Sequence, residues 1–207
     1  MAIIQLGSDT LAGTATAGQV EYNGTIQTFT PLGTQRGVIP NEQFFALNSG
    51  LAGANVATAQ SIFGVGVTLS SSTIYEFEAM LALSKSAGTT SHTVAIGFGG
   101  TATLNNIAYQ AFWYDGAALS GTSGQASREN FISVATATIL TGAITTAAYY
   151  TQASIKGIVS INAGGTFTPQ YTLSAAPGGD YTTAAGSYIK IKPIGASGAN
   201  VSVGTWA

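Results

Sequence analysis

Residues 73–83 read TIYEFEAMLAL, and this stretch decides the fold class of the chain. Successive side chains of a β-strand point to opposite faces of a sheet. One face of this segment therefore carries Tyr75, Phe77, Ala79, Leu81 and Leu83. The other carries Ile74, Glu76, Glu78 and Met80. The alternation predicts a strand with one face in a core and the other face toward water or a neighbouring molecule.

The rest of the chain also favours strands. Further segments with a strand-like composition are residues 92–98, 107–114, 131–140, 153–161, 167–173, 187–194 and 201–206. Clusters of Gly, Ser, Thr and Asn separate them, as turns do. Helical periodicity is weak: residues 41–48 suit a short helix capped by Asn41 or a strand equally well, and a turn of helix is an alternative near 143–152. This spacing predicts an all-β sandwich or barrel.

A hairpin signal precedes these strands. Residues 20–22 and 25–29 read as two short strands, and Asn23-Gly24 between them favours a type I′ turn. The composition changes near Pro40, beyond which all the long strands lie. We therefore expect two units, an N-terminal arm over residues 1–40 that anchors or oligomerises the protein and a β-sandwich over residues 41–207.

The charge content excludes several classes of protein. Only 7% of the 207 residues are charged, with six Lys and Arg against eight Asp and Glu, whereas about a quarter is ordinary. The basic residues form no cluster, so nucleic-acid binding is not expected. No apolar run approaches the roughly 18 residues of a membrane span, and the first residues do not resemble a signal peptide. The absence of cysteine excludes disulfides and thiolate chemistry.

Candidates for catalysis are few. His92 is the only histidine, and no metal-binding or nucleotide-binding motif accompanies it. Glu76 and Glu78 share a strand face about 7 Å apart, a separation that a glycosidase acid and base can have. A solvated or lysine-paired strip on an outer sheet face is the stronger interpretation of this pair. We therefore expect no catalytic residue, no cofactor, no metal and no enzymatic activity.

Paired aromatic residues are the better candidates for contacts. Residues 112–114 read FWY, so if Trp113 faces the core, its two neighbours face outward. Phe44-Phe45 and Tyr149-Tyr150 likewise place adjacent rings on opposite faces of a strand. Two alternatives to a subunit contact are burial of both rings within a thick sandwich and a sugar-binding surface. Oligomer burial accounts for all three pairs together. The candidate subunit or partner contacts are Phe44, Phe45, Phe112, Tyr114, Tyr149 and Tyr150.

Several stretches resemble small structural proteins and terminal domains of tailed bacteriophages, notably marine and freshwater ones. They are residues 17–25 (AGQVEYNGT), 51–56 (LAGANV), 63–67 (FGVGV), 75–79 (YEFEA), 157–169, 170–179 (QYTLSAAPGG) and 193–200 (PIGASGAN). These are packing and turn motifs rather than catalytic ones. The resemblance implies a jelly-roll-like antiparallel β-sandwich, a homotrimer, and a place on the virion after assembly in the host cytoplasm.

The resemblance implies two alternative roles. One is a capsid decoration or cement protein that binds the major capsid protein or other virion proteins. The other is a tail-fibre or tail-tip component that binds a host surface receptor, with a surface glycan as candidate partner. Residues 17–25 resemble a connector in tail-fibre proteins, which usually follows a long attachment region. Because this chain begins almost at that connector, we expect the capsid role.

Overall fold

The structure is a computed structural model that describes residues 7–116, 127–198 and 200–206. Within these ranges the regular elements are all strands, and no helix forms. The strands are β1 (Val20–Tyr22), β2 (Gln27–Phe29), β3 (Gly37–Val38), β4 (Gln43–Ala46), β5 (Leu51–Ala52), β6 (Gln60–Ser61), β7 (Val67–Leu69), β8 (Thr73–Lys85), β9 (Val94–Gly99), β10 (Thr103–Gly116), β11 (Ser127–Ile132), β12 (Thr138–Ile139), β13 (Tyr149–Ala163), β14 (Gly165–Leu173), β15 (Thr182–Thr183) and β16 (Tyr188–Ala196).

Two antiparallel sheets pack as a sandwich, which confirms the predicted all-β sandwich. The large sheet has the order β11-β10-β13-β8. Beyond β8 the sheet branches: residues 73–80 pair with β16, which is followed by β4, and residues 83–84 pair with β15, which is followed by β5. The small sheet has the order β12-β9-β14, with β6 and β7 both paired to β14. If the β10–β11 hairpin is set aside, the two orders β4-β16-β8-β13 and β7-β14-β9-β12 match the strand order of a jelly roll. The all-β sandwich is confirmed, and the jelly-roll part stays a prediction.

The core lies between the two sheets. The alternate residues of β8 that the sequence assigns to the core are at most 5% exposed, and Trp113 on β10 is 0% exposed. Aromatic rings fill the centre: Phe98 stacks on Phe167 at 4.7 Å between centroids, and Phe77 meets Phe98 at 5.2 Å. Each large apolar side chain buried in this way stabilises the fold by roughly 1.5–3 kcal/mol.

Gly157 on β13 allows the neighbouring strands to close over it. In register it lies between Phe77 on β8 and Tyr109 on β10, whose rings are 6.3 Å apart. A Cβ atom at position 157 would lie 2.4 Å from the Tyr109 Cβ and from the Ala108 carbonyl oxygen. Only glycine fits so close an approach.

The first three strands form a separate small sheet, in the order β1-β2-β3. The predicted hairpin is present, but its turn is displaced by one residue: Gly24 has a φ of 89°, whereas Asn23 keeps a negative φ. The Asn23 Oδ1 atom instead accepts hydrogen bonds from the backbone N–H groups of Thr25 and Ile26, at 3.0 and 2.9 Å. Because this Asx turn holds Asn23, the turn residues are Gly24 and Thr25 rather than Asn23 and Gly24.

Two strand predictions and one helix alternative need correction. The predicted strand 131–140 is two strands in different sheets, because β11 ends at Ile132 and the chain crosses to the small sheet, where the Ala135 carbonyl accepts from the Phe98 N–H at 2.8 Å. Described residues 201–206 form no strand, and the Trp206 Nε1 atom donates back to the Val203 carbonyl. Residues 143–152 contain the start of β13 rather than a turn of helix, and residues 41–48 contain β4.

Candidate functional site: the outer face of the large sheet

The outer face of the large sheet collects side chains from strands far apart in sequence. Strand register places Lys156 on β13 opposite Glu78 on β8, and Glu78 opposite Lys190 on β16. Two residues earlier on β8, Glu76 lies opposite Lys192 on β16. With Glu42, just before β4, these side chains line a shallow depression of about 190 Å³. We call Glu42, Glu76, Glu78, Lys156, Lys190 and Lys192 the charged ladder; the chain has only six basic and eight acidic residues in all.

The ladder is held by ion pairs across β8 and β16. The Lys192 Nζ atom lies 3.1 Å from a Glu76 carboxylate oxygen, and the Lys190 Nζ atom lies 3.4 Å from Glu78. The Tyr188 hydroxyl donates to the other Glu78 oxygen at 3.2 Å. The negative charge of Glu78 raises the pKa of Lys190. The four paired side chains are each about a third exposed, so each pair contributes at most about 1 kcal/mol to stability.

This geometry confirms the lysine-paired strip predicted for Glu76 and Glu78. Both carboxylates lie on an open sheet face, and each has a lysine as its partner. A glycosidase pair instead flanks a cleft in which one carboxyl group holds a proton. The ladder suits binding to another charged surface better than it suits glycosidic bond cleavage.

His92 is a core residue whose two ring nitrogens are both engaged. It is 1% exposed. Nδ1 lies 2.7 Å from the Thr90 carbonyl oxygen, so Nδ1 carries the proton and donates, and Nε2 then accepts from the Tyr181 hydroxyl at 2.7 Å. Burial lowers the pKa of His92, and the positive charge of Lys85 lowers it further. With both nitrogens occupied, the imidazole is positioned for packing rather than for proton transfer.

Among the described residues, no three His, Asp or Glu side chains are grouped closely enough to hold a metal ion. In the same part of the chain, no helix is long and apolar enough to cross a membrane.

The structure separates the six aromatic candidates. Phe112 and Tyr114 lie together on the outer face of β10, edge to face at 4.9 Å, with Tyr114 43% exposed. Phe44 is 62% exposed at the opposite edge of the sheet, where it stacks on Tyr188 at 5.7 Å. The remaining three are placed as follows: Phe45 meets Phe63 at 6.0 Å, Tyr150 is half-buried, and Tyr149 is buried in the core. Tyr149 is therefore not available on the surface.

Two exposed apolar residues on the outer face of the large sheet, Phe131 and Ile158, are not among the candidates that the sequence indicates. Phe131 on β11 is 77% exposed, and its register opposite Gln110 places it on the same outer face as Phe112. Ile158 and Met80, 45% and 36% exposed, flank the charged ladder. The alternation of residues 73–83 did place Met80 on the outer face, but no local pattern shows that Phe131 lies on an edge strand.

An apolar groove opens between the sheets beside β4. Its volume is about 340 Å³. The side chains that line it include Phe45, Phe63, Val67, Phe167 and Ile189. Phe45 is thus directed toward this groove, at the same edge of the sandwich as the exposed Phe44.

No family model, no curated protein and no solved structure matches the chain. A functional assignment therefore rests on the residues and the geometry described above, together with the resemblance noted in the sequence.

Proposed function

We propose that this chain is a non-enzymatic structural protein of a tailed-bacteriophage virion, which assembles as a homotrimer and decorates or cements the capsid. The observation that carries the proposal is the exposure of large aromatic side chains at two edges of one sheet. Phe131 and Tyr114 are 77% and 43% exposed at one edge, and Phe44 is 62% exposed at the other. Aromatic residues exposed in groups are typical of protein–protein contacts.

The positions of the two groups favour a ring. Phe112, Tyr114 and Phe131 lie on β10 and β11, whereas Phe44 and the groove beside Phe45 lie at the β4 edge. Contact between one group and the other group of the next copy is head-to-tail, and such contacts close into a ring when the rotation between copies permits. The choice of three copies rests on the resemblance to phage proteins, which implies a homotrimer.

The small sheet of the N-terminal arm is suited to attachment to another protein. Its sheet consists of strands of two or three residues, and among the described residues these strands pair only with one another. Sheets this small are marginally stable alone. Docking of the arm onto a neighbouring subunit or onto the major capsid protein would stabilise it, as a decoration or cement protein requires.

The assembly contact is tested with matched serine substitutions. We expect wild-type protein to sediment as a trimer at micromolar concentration, and Phe131→Ser and Phe44→Ser to shift it toward smaller species. Ile139→Ser is the control, because Ile139 is 59% exposed but lies on β12, in the small sheet. A wild-type monomer, or a control that dissociates as readily as the two variants, would refute the contact.

The location on the virion is tested by imaging. Antibody-labelled particles of the phage that encodes the chain should show copies that follow the icosahedral capsid lattice. Label confined to the tail would replace the capsid proposal with the tail-fibre role, and label on neither would refute both.

A further inference from the structure

The charged ladder has a column of acids beside a column of bases. Glu76 and Glu78 project outward from β8, and Lys192 and Lys190 project from the adjacent strand β16 in the same two rows. The four side chains are each about a third exposed, and Met80 and Ile158 beside them are 36% and 45% exposed, so this face is accessible. Two adjacent columns of opposite sign form a pattern that is complementary to itself.

We propose that this face docks a second copy of the chain about a two-fold axis that runs parallel to β8 and β16 and lies between them. This contact goes beyond the proposed trimer, because it uses the centre of the large sheet rather than the aromatic group on β10 and β11.

Charge selects this axis. A half-turn about it exchanges the two columns, so β16 of the second copy faces β8 of the first. Lys190 of the second copy then faces Glu78, and Lys192 of the second copy faces Glu76. A two-fold axis in the plane of the sheet but perpendicular to the strands would place β8 against β8, and glutamates against glutamates. Like charges brought together disfavour that arrangement, so electrostatics specifies the orientation of docking.

The flanking positions are also complementary. Met80 lies opposite Tyr188 in the register of β8 and β16, so the same half-turn brings each Met80 to the other copy's Tyr188, a favourable sulfur–aromatic contact. Lys156 has no ion-pair partner in its own chain among the described residues. The half-turn carries the β4 edge of the second copy over β13, so that its Phe44 lies over Lys156 and its Glu42 two residues away.

The two proposed contacts share Phe44, because it lies on β4 in the row of Lys190 and the half-turn places it against β13 of the second copy. The three-fold ring and the two-fold dimer are therefore alternative assemblies of the same chain. Phe131 and Tyr114 lie on β11 and β10, on the far side of β13 from the axis, so the two-fold contact leaves them exposed. A variant that loses the ring contact should therefore form dimers, and a variant that loses the two-fold contact should form trimers.

The first experiment uses two variants that should not associate with themselves. Glu76→Lys with Glu78→Lys makes both columns positive, and Lys190→Glu with Lys192→Glu makes both negative. Both pairs are placed in a Phe131→Ser background, so that the proposed ring contact does not contribute. We expect the background protein to sediment as a dimer at low salt, each charge variant alone at half that mass, and the mixture of the two again at the dimer mass. A mixture that stays at the monomer mass would overturn the proposal, as would charge variants that remain dimers.

A second variant preserves the ion pairs within the chain. Exchange of all four residues (Glu76→Lys, Glu78→Lys, Lys190→Glu and Lys192→Glu) in the same background keeps each row paired and keeps the face self-complementary, so this protein should fold and form dimers. It should not form dimers with the unexchanged protein, because the half-turn would then oppose like charges. Native mass spectrometry of a mixture carrying one labelled form distinguishes the cases. Mixed dimers at the statistical proportion would overturn the proposed axis, whatever the outcome for the trimer.

Discussion

Lys85 gives the sharpest test of how this fold is held together. It ends β8 on the core side and is 5% exposed. Its Nζ atom donates to the carbonyl oxygens of Gly88 at 2.7 Å, Ala147 at 3.2 Å and Ala87 at 3.4 Å, and also to that of Thr146. Burial lowers the pKa of Lys85. The ammonium thus joins the loop after β8 to the segment before β13.

Replacement of Lys85 by Met should destabilise the protein by about 3–5 kcal/mol. Met keeps most of the apolar stem but removes three N–H donors. A hydrogen bond to a charged group contributes a net of about 1.5–3 kcal/mol, and a buried carbonyl without a partner costs about 1–3 kcal/mol. Three lost bonds at the lower value already give about 4.5 kcal/mol, and partial access of water reduces the loss. The expected loss is a large share of the 5–15 kcal/mol that stabilises a typical domain.

Urea unfolding followed by tryptophan fluorescence measures this loss. Wild-type and variant proteins are compared at a concentration below that at which any of them associates, because association adds to apparent stability. Lys192→Met is the matched control: it removes one partly exposed ion pair, to Glu76, and should cost at most about 1 kcal/mol. If Lys85→Met unfolds within 1 kcal/mol of the wild type, water reaches these carbonyls and the reasoning is wrong.

Two further predictions concern pH and catalysis. Because the pKa of His92 is lowered in the fold, its contribution to stability is complete above the unfolded value of about 6.5 and is lost as pH falls toward the folded value, with a slope of at most about 1.4 kcal/mol per pH unit. His92→Gln should remove this slope between pH 7.5 and 5.5 in urea titrations, since the chain has no other histidine; equal slopes would contradict the assignment. For Glu76 and Glu78, we expect no reducing-sugar release from host polysaccharide by the wild type, and a loss of at most about 1 kcal/mol per ion pair when both are changed to Gln. Sugar release by the wild type that disappears in the double variant would make this face a catalytic site.

The sequence predicts those features that depend on the alternation of a single strand. The pattern of residues 73–83 correctly assigned both faces of β8. With Trp113 in the core, Phe112 and Tyr114 lie on the opposite face, as the alternation of the FWY triplet predicts for that case. The same alternation extends to Lys85, two residues beyond Leu83, and therefore places this lysine on the core side. The sequence thus contained a signal for the buried ammonium, although the four carbonyls around it come from two loops whose approach depends on the whole sandwich.

Features that depend on pairing between distant strands could not be predicted in this way. Tyr149 and Tyr150 are adjacent in sequence, and only the register of β13 decides that Tyr149 enters the core. Phe131 is exposed because it faces outward on the edge strand β11, and only the pairing of β11 with β10 decides that position. The partners of Glu76 and Glu78 lie more than 100 residues away in sequence, and the pairing of β16 with β8 selects Lys192 and Lys190.

The scarcity of charge makes the placement of each charged residue informative. With so few charged residues, a random distribution over the surface would leave most of them isolated from one another. Six of its charged residues instead meet on one sheet face, in columns of alternating sign. Ion pairs of this exposure add little to folding stability, but at a contact they specify orientation and disfavour wrong partners. Docking specificity is therefore a better explanation for the ladder than fold stability, and the exchange of its two columns separates the two explanations, because it preserves every pair within the chain.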